Sequence, residues 1–253
     1  MSNKASRKSG REKTVRAAKI DTYISDYFMS TLADKLIQRS RSNVFHLEGD
    51  GKMIEKIDAE SLYEKGVQYC DGIGVSVDKE KALLLFEQAA QQGHVDAQRK
   101  CADMHYLGEG TEVNHEKALY WYEKTAEQED TWAQFFVGAL YAKGIGTEVD
   151  LEKALYWLEK AAENGDVRAQ EYCADMYYSG QGTKVNHEKA FHWMEQVAEH
   201  GDAEAQYYLG DMYYKGEGTS ADLNQALVWM EKAAEQGYEL AKGFLQKYKN
   251  DIK

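Results

Sequence analysis

The chain of 253 residues contains no proline. Helical hairpins tolerate that absence better than a fold of many short strands and proline-bearing turns. Nor is there a run approaching the roughly 18–20 apolar residues that a membrane-crossing helix needs. The basic N-terminus is not followed by an apolar stretch of the signal-peptide kind, because Asp21, Asp26, Asp34 and Lys35 interrupt the next segment. Cysteine is scarce: Cys70, Cys101 and Cys173 are an odd number without a short repeating spacing. That speaks for free thiols and a reducing, cytoplasmic compartment. Positive charge is short as well, with a formal net of −12, and what there is lies unevenly. Residues 1–19 hold seven basic side chains and one acidic, a net of +6, which leaves −18 on the remainder. A body of that sign repels nucleic acid and anionic lipid, so only the 1–19 tail is left as a contact for either.

What is present in quantity is repetition. Paired glycines recur at Gly72/Gly74, Gly108/Gly110, Gly144/Gly146, Gly180/Gly182 and Gly216/Gly218, each step being 36 residues. Four more series keep that register without an insertion: Ala82 to Ala226, Ala90 to Ala234, Ala97 to Ala241, and Trp121, Trp157, Trp193 and Trp229 with Leu85 in the first unit. A period of this length marks a stack of supersecondary units, none of which buries its apolar face alone.

Each unit reads as two helices, A and B. In the second, helix A is expected over Asp96–Leu107, with Ala97, Cys101, Ala102 and His105 on one face. The Gly108-Glu109-Gly110 turn then ends it. Helix B is expected from the cap Asn114 to about Gln128, with Asp78, Asp150, Asn186 and Asp222 capping the other units. A glycine follows helix B at Gly93, Gly165, Gly201 and Gly237; Glu129 stands there in the second unit, which predicts a different junction. The small alanines allow close helix approach, and the tryptophans fill the wider gaps between neighbours. Ile20–Ile37 has apolar residues at helical spacing outside the register and is expected to cap the array. The expected layout is therefore a basic tail at 1–19, a helical cap and loop at 20–58, repeats at 59–240 and a C-terminal capping helix at 241–253.

The fifth unit carries Ala205, Leu209, Gly210, Tyr213, Gly216, Gly218, Asp222, Ala226, Trp229, Lys232, Ala233, Ala234 and Gly237. These residues resemble the Sel1-like repeat pattern, and the resemblance covers about residues 59–248. It implies an all-α, right-handed α-solenoid of about five hairpins, similar to tetratricopeptide arrays, with the A helices lining the concave side. It also implies an adaptor that binds a protein or peptide, or alternatively a regulatory or inhibitory subunit wrapping one enzyme or toxin.

On that geometry the contact residues are Arg99, Asp103 and Tyr106 in unit two, Trp132 and Phe135 in unit three, Glu171, Asp175 and Tyr178 in unit four, and Tyr207, Asp211 and Tyr214 in unit five. Tyrosine offers rigid contact area and carboxylates favour a partner with basic residues. No catalytic constellation, metal set or cofactor motif is expected. The G-x-G pairs close helices, whereas a phosphate loop follows a strand and opens one. Cys101 and Cys173 share a slot filled elsewhere by Val137 and Leu209, which marks core packing. His105 takes a slot that is otherwise tyrosine and reads as an interior imidazole, while His115 and His187 read as solvent-facing. Some relatives carry a Cys pair in each repeat and are credited with binding penicillin; this chain has no such pairs, and the activity is not carried over.

Overall fold

The computed structural model describes residues 57–251. The 1–19 tail and the Ile20–Ile37 cap lie outside the described residues, as does most of the 20–58 segment. Eleven helices follow one another among the described residues: α1 (Ala59–Asp71), α2 (Lys79–Gln91), α3 (Val95–Leu107), α4 (His115–Ala126), α5 (Thr131–Lys143), α6 (Leu151–Glu163), α7 (Val167–Ser179), α8 (His187–Glu199), α9 (Ala203–Lys215), α10 (Leu223–Glu235) and α11 (Glu239–Asp251). No strand occurs among the described residues. The odd-numbered helices α1 to α9 are the A helices, the even-numbered ones the B helices. Each A helix packs most closely on the B helix that follows it, and each B helix then packs on the next A. The architecture is an α-solenoid of five hairpins. Its eleventh helix takes the A place of a sixth unit, with Ala241 fully buried against Met230 and Ala233.

The expected caps are in place. Asp78, Asn114, Asp150, Asn186 and Asp222 each accept the backbone N–H three residues on, which occupies one of the orphan donors of a helix start. Helix α3 starts a residue earlier than expected, capped by the ring of His94, which accepts from the Ala97 N–H at 3.2 Å. Helix α4 ends at Ala126, two residues short of expectation. Glu129 corrects a further expectation. It adopts φ 64, the same left-handed turn as Gly93, Gly165, Gly201 and Gly237, so the second junction keeps the geometry and carries the strain of a side chain.

Two features bind neighbouring units, and both escape a reading of one unit at a time. The first is the second glycine of the G-x-G in units two to five. A Cβ on Gly146 would lie 2.2 Å from the backbone oxygen of His115, and one on Gly182 would lie 2.1 Å from that of Leu151. Gly110 and Gly218 meet Lys79 and His187 in the same way. The loop of each of units two to five thus rests on the start of the previous unit's B helix, backbone on backbone. The first glycine has the helix-ending role expected of both: Gly108, Gly144 and Gly180 are left-handed C-caps.

The second feature is a buried polar ladder. Gln98, Gln134, Gln170 and Gln206 stand at the fourth position of successive A helices. Each donates its amide to a carbonyl at the end of the preceding B helix, that of Ala90, Ala126, Ala162 or Ala198, at 3.2–3.3 Å. The oxygens of three of them then accept from the residue before the left-handed turn that follows helix B: Gln128 to Gln98 at 2.7 Å, Asn164 to Gln134 at 3.0 Å and Gln236 to Gln206 at 2.8 Å. In unit four that residue is His200, whose ring turns back to the Gln196 carbonyl, and Gln170 Oε1 is buried without a partner. A buried polar atom left unpaired costs about 1–3 kcal/mol. His200→Gln is therefore expected to complete the ladder and stabilise the array by about 1 kcal/mol. A rise in thermal midpoint of about 2–4 °C would register it; an unchanged midpoint would show that the atom is not strained.

Candidate partner-binding face

The A helices carry the expected contact residues at positions 2, 5, 9 and 12, spaced to fall on one side of each helix. The sides differ from unit to unit. In unit two Asp103 is only 7% exposed and accepts a 2.7 Å hydrogen bond from Tyr122, which is fully buried in α4. Its carboxylate therefore faces the hairpin interior. Arg99 is half-buried and pairs with Asp96 at 3.3 Å. Tyr106, also half-buried, packs on the His115 ring at 4.8 Å and on Phe136 of the next unit at 6.1 Å.

Unit three is apolar, but less open than its sequence implies. Phe135 is 1% exposed, covered by the Arg168 guanidinium at 4.2 Å and flanked by Tyr172 at 6.1 Å. Trp132 is half-buried, stacked on Phe136 at 4.7 Å and edge-on to Tyr122 at 5.8 Å.

Units four and five present the open part. Tyr178 is 43% exposed, with its hydroxyl donating to Glu217 at 2.9 Å and its ring 5.1 Å from His187. Tyr214 is 51% exposed and meets Phe244 edge-on at 5.1 Å. Tyr207 sits between Tyr208 and Tyr238 at 5.5 and 5.3 Å. Glu171, Asp175 and Asp211 are half-buried beside them, and Asp211 holds Lys215 at 2.6 Å. Burial pushes up the phenols of Tyr106, Tyr178 and Tyr207, with the neighbouring Glu217 and Asp211 adding to it in the last two. Those three hydroxyls stay protonated at neutral pH and serve as hydrogen-bond donors.

A further row went unnoticed in the sequence: Phe136, Tyr172, Tyr208 and Phe244, four aromatics at the same 36-residue step on the sixth position of the A helices. Phe136 and Phe244 receive the position-12 tyrosine of the unit before them. Their register was a legible signal. The remaining expectations concern the interior. Cys101 and Cys173 are fully buried, and burial pushes both thiols up. His105 is 1% exposed and its ring meets Glu87 at 3.1 Å. His115 and His187 are exposed. Among the described residues no group of three His, Cys, Asp or Glu side chains stands where it could hold a metal, and no helix is long and apolar enough to cross a membrane.

The hairpin boundaries coincide with five consecutive matches to the Sel1 repeat, at residues 59–94, 95–130, 133–166, 167–202 and 203–238. The chain belongs to the Sel1 repeat family. Two solved Sel1-type structures are similar over most of the array. A Sel1 repeat protein from Oxalobacter formigenes is 35% identical, with 70% of this chain and 73% of that one covered and a TM-score of 0.57. The protein c5321, a protective antigen present in uropathogenic Escherichia coli strains, is 33% identical, with 72% of this chain covered and a TM-score of 0.58. The match spans only 39% of the length of c5321. Comparison with curated proteins gives no significant match.

Proposed function

We propose that this Sel1 array is a scaffold that binds a protein or peptide partner along its A-helix face, without catalysis of its own. The observation that carries the reading is the pair of exposed tyrosines, Tyr178 and Tyr214, one repeat apart and beside half-buried Asp175 and Asp211. Arrays of this kind use extended surfaces for binding, and tyrosine is enriched where interfaces concentrate their energy. The carboxylates favour a partner with lysine or arginine side chains. Three unpaired cysteines fit a reducing, cytoplasmic setting.

Replacing both tyrosines, Tyr178→Ala with Tyr214→Ala, is expected to lower partner recovery at least about tenfold, taking about 1 kcal/mol for each lost anchor. The helical circular dichroism should stay as it was, because both rings lie at the surface. Affinity purification followed by mass spectrometry reads the outcome. Several partners lost together would mark an adaptor, and one stoichiometric enzyme would mark a regulatory subunit. Undiminished capture by a folded double variant would overturn the A-face assignment.

A further inference from the structure

The opposite side of the array carries a pattern that partner binding on the A helices does not use. At the sixth position of the B helices stand Leu84, Tyr120, Tyr156, His192 and Val228, all exposed. In units two and three the tyrosines are 51% and 53% exposed. Each is propped edge-on against the next residue in sequence, with ring centroids 5.0 Å apart for Tyr120 and Trp121 and 5.1 Å for Tyr156 and Trp157. Trp121 and Trp157 are buried, so the tyrosines are held on a rigid base.

Around both tyrosines the charges are arranged antisymmetrically. Four residues before stands a glutamate, Glu116 or Glu152, and four residues after stands a lysine, Lys124 or Lys160. Both glutamates are exposed and both lysines half-exposed. Lys124 pairs with Glu127 at 2.7 Å, a surface contact of the kind that is readily exchanged. In units two and three Lys117, Lys124, Lys153 and Lys160 stand against Glu116, Glu123, Glu127, Glu152, Glu159 and Glu163, a milder acidic excess than that of the whole body. Glu123 and Glu159 are engaged by the hydroxyls of Tyr141 and Tyr177 on the following A helices.

An antisymmetric charge pattern has one natural complement, the same helix running the other way. When two such helices pair antiparallel about the tyrosine, the residue four before meets the residue four after on the other copy. Each glutamate then faces one lysine, and every such contact is made twice, as an isologous two-fold interface demands. Two parallel B helices with the same pattern share one such axis. We propose that the B-helix face of units two and three is a self-association surface, on which a second copy of this chain docks antiparallel with tyrosine against tyrosine.

The footprint also bears on strength. Helices α4 and α6 are about 20 Å long, and with their margins of about 10 Å each they offer less than the roughly 800 Å² per partner of a standard interface. The dimer is accordingly weak and dependent on concentration. It leaves the A helices untouched, so it stands independently of partner binding there.

Sedimentation equilibrium of the full chain, taken up to millimolar concentration, tests this. The mass should rise towards two chains and no further, and less so at high salt. Lys124→Glu with Lys160→Glu, and separately Glu116→Lys with Glu152→Lys, should each weaken self-association at least about tenfold, since like charges now meet. Mixing the two variants should restore association as a heterodimer. If either variant fails to fold by circular dichroism, Tyr120→Ser with Tyr156→Ser serves in its place and should likewise give a monomer. A wild-type mass that stays at one chain, one that grows past two, or a mixture of folded variants that does not associate would overturn the proposal.

Discussion

Gly146→Ala is expected to cost the array about 3–5 kcal/mol, among the largest effects of any one-methyl change. Part of this is conformational: at φ +76 an L-residue pays about 1–2 kcal/mol. The rest is steric, because the new Cβ would sit 2.2 Å from the His115 oxygen and 2.6 Å from its carbonyl carbon. Those atoms belong to the start of α4 and cannot rotate away as a side-chain tip would. Gly165→Ala is the matched control, since Gly165 also has a positive φ, of 87°, but a Cβ there meets nothing within 4 Å. It should show only the conformational part. Urea unfolding of both variants checks the difference. Equal losses would mean that the loop does not press on the preceding unit.

The second large effect is expected at residues that resemble groove contacts. Phe135→Ala should lose about 3–5 kcal/mol, the usual cost of emptying a buried phenylalanine site, because the ring is covered by Arg168 and Tyr172. Asp103→Ala should lose about 1–3 kcal/mol by leaving the Tyr122 hydroxyl buried without its acceptor. Asp175→Ala, at the same repeat position as Asp103 but half-buried and in a unit with Met194 at the place of Tyr122, should stay within about 1 kcal/mol of wild type. Thermal or urea denaturation of the three variants orders them. If Phe135→Ala proves as mild as Asp175→Ala, the apolar segment of unit three is open surface. The comparison also guards any binding assay, since partner loss in a destabilised variant says nothing about contact.

These two cases show where the residues could be read in advance and where they could not. The cap at Asn114, the buried alanines and the Cys101/Cys173 slot were legible because the first two recur in all five units and the third in units two to five. Tyr178 and Tyr214 were legible as surface from helical spacing, which sets them on the side of their helices away from the small core residues. Asp103 and Phe135 were not. Each is covered in part by a side chain peculiar to its surroundings, Tyr122 where other units have Phe, Leu or Met, and Arg168 where they have Asp, Trp or Glu. Periodicity places a residue on a face, but it does not tell what one unit lays over it. The second glycine and the glutamine ladder were hidden differently. Both recur regularly, yet their partners lie in the adjoining unit, and Glu129 shows that a left-handed turn can be held without the glycine that would announce it.

The glycine seat has a mechanical side. Because the loops of units two to five rest directly on the backbone of the unit before, tension applied at the two ends would pass through a series of four like joints. Such a chain does not stretch evenly; it gives way one joint at a time, each release yielding 36 residues, or about 120 Å of extended polypeptide. The array would then let out length in steps while the units still joined stay folded.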